Sequence, residues 1–368
     1  MPTAPALFCL RSRWTLSNWL QRLQRADLAA WQQHRDGEVR LGAAWHYLNP
    51  LLALEDALAA AVQHGCRFAL LGIPEDIGPR ANSGNGGADL GFNAFLSRFI
   101  NLQANQFAAA GELLLAGTVD CHDLQQRAAL LDAADPEQLT QLRQLCGELD
   151  LRVYSVLRAI FDAGLTPIVI GGGHNNALPI LQALASHAGQ PVDAINLDPH
   201  CDFRLLEGRH SGNGFSYAAN AGWLRKYFVL GLHELKNSTA ALQQLTAAGA
   251  GYCSYQRIWQ RRQVTLAQAV DQAIDFVGAD ENIPLGIELD TDSISGMPVS
   301  AYTNCGVTVA DAEFYVWQLA QLPRVRYLHL AEAAPAQHPA GLKAGMNEAG
   351  QVLSALVLAF VQAKAAQH

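Results

Sequence analysis

The stretch Ala194-Ile195-Asn196-Leu197-Asp198-Pro199-His200-Cys201-Asp202 joins a short, mostly apolar run to a cluster of acidic and imidazole side chains. The first four residues suit a strand buried on both faces, and the chemistry begins where that strand ends. The same arrangement occurs twice more. Pro167–Ile170 leads into Gly171-Gly172-Gly173-His174, and Leu285–Leu289 leads into Asp290-Thr291-Asp292. In open parallel sheets, functional groups gather just beyond the carboxyl ends of the strands. Three such ends here supply two imidazoles and four carboxylates.

Side chains at i, i+2 and i+4 of an extended segment share one side. This spacing predicts that Asp198, His200 and Asp202 converge on one point, and that Asp290 and Asp292 do the same. Four aspartates at one sheet mouth repel each other unless cations of total charge near ~+4 neutralise them. Carboxylate with some imidazole and no thiolate favours Mn²⁺ over a structural zinc, so two Mn²⁺ per chain are expected. Cys201 should point away from the ligands. Taken singly, GGGH could be a tight turn and DxD a solvated loop; the specificity lies in all three motifs at three strand ends. Two ions about 3.5–4 Å apart can activate a shared water for hydrolysis of an unactivated C–N bond, without a Ser or Cys nucleophile.

Outward from these motifs, further strand candidates are Phe68–Ile73, Leu113–Val119, Tyr227–Leu230 and Val325–Leu330. Amphipathic runs such as Pro136–Gly164 and Asn176–His187 lie between strands. Apolar strands alternating with helices predict an α/β fold, a three-layer α/β/α sandwich around a mostly parallel sheet. The first sixty or so residues differ. They hold Trp14, Trp19, Trp31 and Trp45, four of the seven tryptophans, with Arg and Gln between apolar positions. Residues 1–62 are therefore expected to form a helical N-terminal extension, and residues 63–368 the main domain.

Half of the residues are apolar and 16% are charged, with a net charge of −8 and no long basic run. A nucleic-acid partner is not expected. The seven cysteines, from Cys9 to Cys305, are scattered without a CxxC pair and read as reduced thiols of a cytoplasmic protein. Met1–Trp14 lacks the pattern of a secretory signal, and no apolar run approaches the ~20 residues that span a bilayer. The longest, Val352–Val361, reads as a helix packed into the protein.

GGGH, DPHCD and ELDTD together resemble the signatures of the arginase–agmatinase–formimidoylglutamase (ureohydrolase) family. The resemblance runs from about Arg67 to the C-terminus and implies an arginase-like fold, two Mn²⁺ and hydrolysis of guanidino or formimino groups. It places the six metal ligands on His174, Asp198, His200, Asp202, Asp290 and Asp292. Asp198 and Asp290 would bridge, with His174 and Asp202 on one ion and His200 and Asp292 on the other. Gly72-Ile73-Pro74 with Gly84–Ala88 resembles the family's early Gly-rich loop.

Glu332 falls where members hold the substrate's amidine cation, and a carboxylate suits the planar N–C–N fork. Arg204 falls where the substrate's far end is recognised, and arginine there suits a carboxylate-bearing substrate. The segment 209–215 resembles the cleft loop in its formimidoylglutamase form. It supplies Asn213 as a substrate-binding candidate and His210 as the candidate proton shuttle to the leaving amine. Formimidoylglutamate hydrolysis is thus the leading expectation, with a homo-oligomer implied by the resemblance.

The chain departs from the family pattern at Gly173 and Asn85, where Asp and Arg are usual. It also departs at Glu288, where Ser is usual, and at Ile294-Ser295-Gly296, which replaces an Asp-Pro. These changes leave open another guanidino or ureido acid as substrate. A one-zinc deacetylase and a non-catalytic relative explain less, because all six ligand positions are filled, and a phosphatase using Asp290 and Asp292 leaves the DPHCD motif unexplained.

Overall fold

The computed structural model describes residues 19–108 and 110–366. Trp14 and Cys9 lie outside the described residues. The first half contains β1 (Leu20–Gln21), β2 (His46–Tyr47), α1 (Leu54–Gln63), β3 (Phe68–Gly72), α2 (Ile77–Ala81), α3 (Gly91–Phe99), β4 (Leu113–Val119), α4 (His122–Ala128), α5 (Pro136–Asp162), β5 (Thr166–Ile170), α6 (Ala177–Ala188) and β6 (Val192–Leu197). The second contains α7 (Gly214–Asn220), β7 (Leu224–Leu232), α8 (Thr239–Ala247), β8 (Gly251–Ser254), α9 (Leu266–Val277), β9 (Leu285–Asp290), α10 (Val309–Ala320), β10 (Val325–Ala331) and α11 (Leu342–Ala365).

The strands form one sheet in the order β1-β4-β3-β5-β10-β9-β6-β7-β8, with β2 also pairing with β4. Only the β1–β4 pairing is antiparallel among the described strands. Alternation along each strand feeds two apolar layers. In β6, Ile195 and Leu197 join the layer beneath α3, α9, α10 and α11, while Val192 and Ala194 join the layer beneath α1, α5 and α6. That explains why the strands read as unbroken apolar runs, and it gives the expected three layers.

Local signals set several helix starts. Asp135 caps α5 by accepting from the backbone of Glu137 and Gln138, with Pro136 in the first turn. Capping boxes open α9 (Thr265 with Gln268) and α10 (Thr308 with Asp311). The apolar run Val352–Val361 lies within α11, the one described helix long and apolar enough to cross a membrane. Leu353, Leu356, Val357 and Phe360 are fully buried there, so the helix is core.

The expectation of a helical segment before residue 62 needs correction. Residues 19–53 form two short strands and 3₁₀ turns, and α1 is the first α-helix among the described residues. Leu20 and Gln21 pair with Val119 and Thr118, and His46 and Tyr47 pair with Leu114 and Leu115. Trp45 packs on Phe99 at a ring separation of 5.7 Å, and the Arg152 guanidinium lies 4.2 Å over the Trp19 ring. The segment completes the β4 edge, where pairing satisfies backbone groups that an isolated helix would have met internally.

Candidate metal centre and substrate cleft

The four central strands, β5-β10-β9-β6, deliver all of the central polar side chains to one edge. His174 follows β5, Glu332 follows β10, Asp290 ends β9 and Asp198 follows β6. The turn after β5 needs its glycines, since Gly171 and Gly172 have φ of 86° and 73°. Buried Glu75 ties this turn down. Its Oε1 accepts from Gly173 N at 2.6 Å and Asn176 Nδ2 at 2.7 Å, and its Oε2 accepts from Gly78 N at 3.0 Å.

The aspartates converge by a different geometry from the extended alternation expected. Asp198 Oδ1 accepts from His200 N at 2.6 Å, and Asp290 Oδ1 accepts from Asp292 N at 2.8 Å. Each is a side chain folding the backbone two residues on, a tight turn that swings the next ligand candidate over the strand end. Asp202 and Glu332 take positive φ, 45° and 66°. Such backbone costs about 1–3 kcal/mol per residue and persists where surrounding contacts fix it.

All six expected ligands come together in two groups that share Asp198. One comprises His174, Asp198, Asp202 and Asp290; the other comprises Asp198, His200 and Asp292. His174 Nδ1 lies 3.0 Å from Asp202 Oδ2, 3.3 Å from Asp198 Oδ2 and 3.4 Å from Asp290 Oδ2. His200 Nδ1 lies 3.0 Å from Asp292 Oδ2 and 3.6 Å from Asp198 Oδ1. Asp290 groups only with the His174 set, its other oxygen being engaged by the Asp292 backbone.

These donors fit a pair of divalent cations. No Lys or Arg among the described residues forms an ion pair with these four aspartates. His174 Nδ1 and Asp292 Oδ1 are buried polar atoms without a hydrogen-bond partner, both in the ligand cluster. In the metal-free chain the histidines carry the compensating charge. Burial opposes protonation of His174, but the surrounding carboxylates of Asp198, Asp202, Asp290 and Glu288 outweigh it and raise its pKa well above the ordinary value. Burial likewise opposes charge on His200, and Asp292 and Asp198 outweigh it. Glu332 is pushed up to about 8, by burial first and then by the Asp202 and Asp292 charges.

A cleft of about 340 Å³ opens above this cluster, with Asp202, Asp290, Asp292 and Glu332 at its base. Glu332 Oε1 accepts from His174 N at 2.9 Å, which fixes the carboxylate at the floor. Arg204 lines the cleft as expected, its Nη1 donating to Asn82 Oδ1 at 2.6 Å. Lys236 also lines it, a cation that the motifs did not reveal. Cys201 is buried and packs with the apolar layer, and it also borders the cleft.

Two expected roles are not supported by their positions. His210 is fully buried and is not among the cleft-lining residues. Its Nδ1 accepts from Gly212 N at 3.1 Å and its Nε2 meets Glu207 Oε1 at 3.2 Å, so both ring nitrogens are engaged. Burial, reinforced by Arg143, Arg204 and Arg209, lowers its pKa to about 3. A proton shuttle needs a titrating, accessible imidazole. Asn213 is also buried. Its Oδ1 accepts from Arg209 Nη1 at 2.7 Å and its Nδ2 donates to Gly208 O at 2.8 Å, so it shapes the loop and does not line the cleft. Arg209 anchors that loop through a bidentate pair with Asp150, at 2.7 and 3.2 Å.

The arginase family model matches residues 66–358. A formimidoylglutamase of Aromatoleum aromaticum is 31% identical over 307 residues, 81% of this chain and 82% of that protein. One of Ralstonia nicotianae is 29% identical over 322 residues, 84% of this chain and 89% of that protein. Among solved structures, formimidoylglutamase from Bacillus subtilis superposes with a TM-score of 0.70 at 15% identity, covering 90% of this chain and 94% of that one. Trypanosoma cruzi formiminoglutamase with Mn2+2 superposes with a TM-score of 0.63 at 20% identity, covering 88% and 99%. The structural likeness shows the fold, and the family match spans most of the sequence: the chain belongs to the arginase family.

Proposed function

We propose that the chain is a two-manganese hydrolase that converts N-formimidoyl-L-glutamate and water to glutamate and formamide. The observation that carries this reading is the pairing of two ligand groups sharing Asp198 with a cleft that bears Arg204 and Lys236. The names of the relatives point the same way. In this reading, His174, Asp198, Asp202 and Asp290 would hold one ion, and Asp198, His200 and Asp292 would hold the other, Asp198 being common to both groups. When bound, the two ions supply a hydroxide nucleophile near neutral pH.

The chain's own residues orient the substrate. The Glu332 carboxylate matches the planar N–C–N cation of the amidine. Arg204 and Lys236 meet the two carboxylates of the glutamate tail, which directs the amidine carbon to the floor of the cleft. Water adds at that carbon, the bond to the glutamate nitrogen breaks, and a proton passes to the leaving amine. The position of His210 leaves it no part in that transfer.

Six free cysteines among the described residues support the reading of a cytoplasmic protein. We retain the division into an N-terminal extension, 1–62, and a main domain, and the homo-oligomer, as part of this proposal. The test is an assay of the Mn²⁺-loaded protein on N-formimidoyl-L-glutamate, arginine, agmatine and guanidinobutyrate. Formamide release from the first, far ahead of urea from the others, is expected. Preference for a guanidino substrate, or no turnover with both ions bound, would overturn the reading.

A further inference from the structure

We propose that Glu288 is a positioning residue for the first metal position: it holds His174 with Nε2–H turned inward, so that Nδ1 offers its lone pair to the ion. The proposal rests on the metal centre described above and concerns the polar row beneath it. Asn196, Glu288 and His329 lie side by side on β6, β9 and β10, in register across the sheet. Their apolar neighbours Ile195, Leu197, Ile287, Leu289, Leu328 and Leu330 all face the opposite layer. All three polar residues are fully buried.

A buried carboxylate is tolerated only when hydrogen bonds replace its water. Glu288 has three donors around it. Tyr327 Oη donates to Oε1 at 2.6 Å, His329 Nδ1 lies 2.6 Å from Oε2, and His174 Nε2 lies 3.3 Å from the same oxygen. The 2.6 Å separation of His329 Nδ1 and Glu288 Oε2 is that of a short hydrogen bond, and we read the trio as a hydrogen-bonded support for the metal centre. Gly286 makes it possible. A Cβ there would sit 2.2 Å from the Tyr327 ring, so only glycine lets that ring reach over β9 to Glu288.

A neutral imidazole carries one N–H, and the atom that holds it decides which nitrogen can ligate. His174 Nδ1 faces the carboxylates of Asp198, Asp202 and Asp290, while Nε2 faces Glu288. Phe215 packs edge-on against the His174 ring at 5.2 Å, leaving the ring little freedom to turn over. A carboxylate behind a ligating histidine fixes the tautomer and strengthens the ligand, and its loss commonly weakens metal binding ten- to a hundredfold. Among the described residues no hydrogen bond or ion pair joins the Glu288 side chain to Asp198, His200 or Asp292, so the effect should fall mainly on one ion.

The experiment is Mn²⁺ titration of wild type, Glu288→Gln and Glu288→Ala, with ion content and calorimetry as readouts. Glu288→Gln, which keeps the shape, should fold as wild type and bind one ion about ten- to a hundredfold more weakly while the second stays within about threefold. With both positions saturated, its KM for substrate should be unchanged. Wild-type affinity at both positions in a folded Glu288→Gln overturns the proposal, as does equal weakening at both. If neither variant folds, ¹⁵N–¹H spectra of Zn²⁺-loaded wild type decide: an Nε2–H His174 supports the tautomer, and an Nδ1–H His174 overturns it. Failure of wild type to bind two ions would instead overturn the metal-centre reading, and the wild-type titration separates the two.

Discussion

Replacing Arg204 and Lys236 by Ala, singly and together, probes how the cleft chooses its substrate. The Arg204 backbone is pinned by Arg204 N to Gly212 O at 3.0 Å and by Ser216 Oγ to Arg204 O at 2.7 Å, so truncation should leave the loop in place. Neither side chain is a ligand in either group, so both ions should remain bound. A hydrogen bond to a charged group contributes about 1.5–3 kcal/mol. Both residues are solvent-exposed at the cleft mouth, and screening brings the figure to about 1–2 kcal/mol each. That corresponds to roughly a five- to thirtyfold loss in kcat/KM per substitution, expressed mainly in KM. If the two cations meet different carboxylates, as proposed, the losses should add in the double variant. Arg204→Lys should recover only part of the loss. The assay is steady-state formamide release from N-formimidoyl-L-glutamate, compared with an analogue lacking the α-carboxylate. Single variants that match wild type on both compounds would refute the two-cation reasoning.

Other consequences can be measured separately. Asp198→Ala should lose both ions, because both groups share it, whereas His174→Ala should weaken mainly one; ion content after dialysis reads both. Asp150→Ala leaves the buried Arg209 guanidinium without its bidentate partner, and should cost about 3–5 kcal/mol in denaturant unfolding. The raised pKa values of His174, His200 and Glu332 mean that the metal-free folded state holds protons the unfolded chain has released. Stability of the metal-free protein should therefore fall as pH rises, from about 4.5 through Glu332 and more steeply above about 6.5 through the histidines, and Mn²⁺ should abolish the fall. Loading with Mn²⁺ near pH 7 in weak buffer should release on the order of two protons per chain.

Most of the sheet was legible because both faces of its central strands are buried. Leu113–Val119 matches β4 to the residue, and Pro167–Ile170 and Leu285–Leu289 each fall one residue short of β5 and β9. The edge strands β1, β2 and β8 are two to four residues long and carry too little pattern to see. The ligand cluster was legible because each motif sits at a strand end, two of them folded by Asp198 and Asp290 and the third by its glycines. His210 and Asn213 were not, since their orientation is set by Arg209 reaching Asp150, 59 residues away. The support beneath the metal centre did leave a trace. Glu288 and His329 are polar residues inside otherwise apolar strands, yet only the β9–β10 register shows that they face each other.

The most direct measurement of the central claim is anomalous diffraction at the manganese edge from crystals of the Mn²⁺-loaded protein. Two peaks about 3.5–4 Å apart are expected. One should lie among His174, Asp198, Asp202 and Asp290, and the other among Asp198, His200 and Asp292. A single peak, or none in that cluster at saturating Mn²⁺, would contradict the claim.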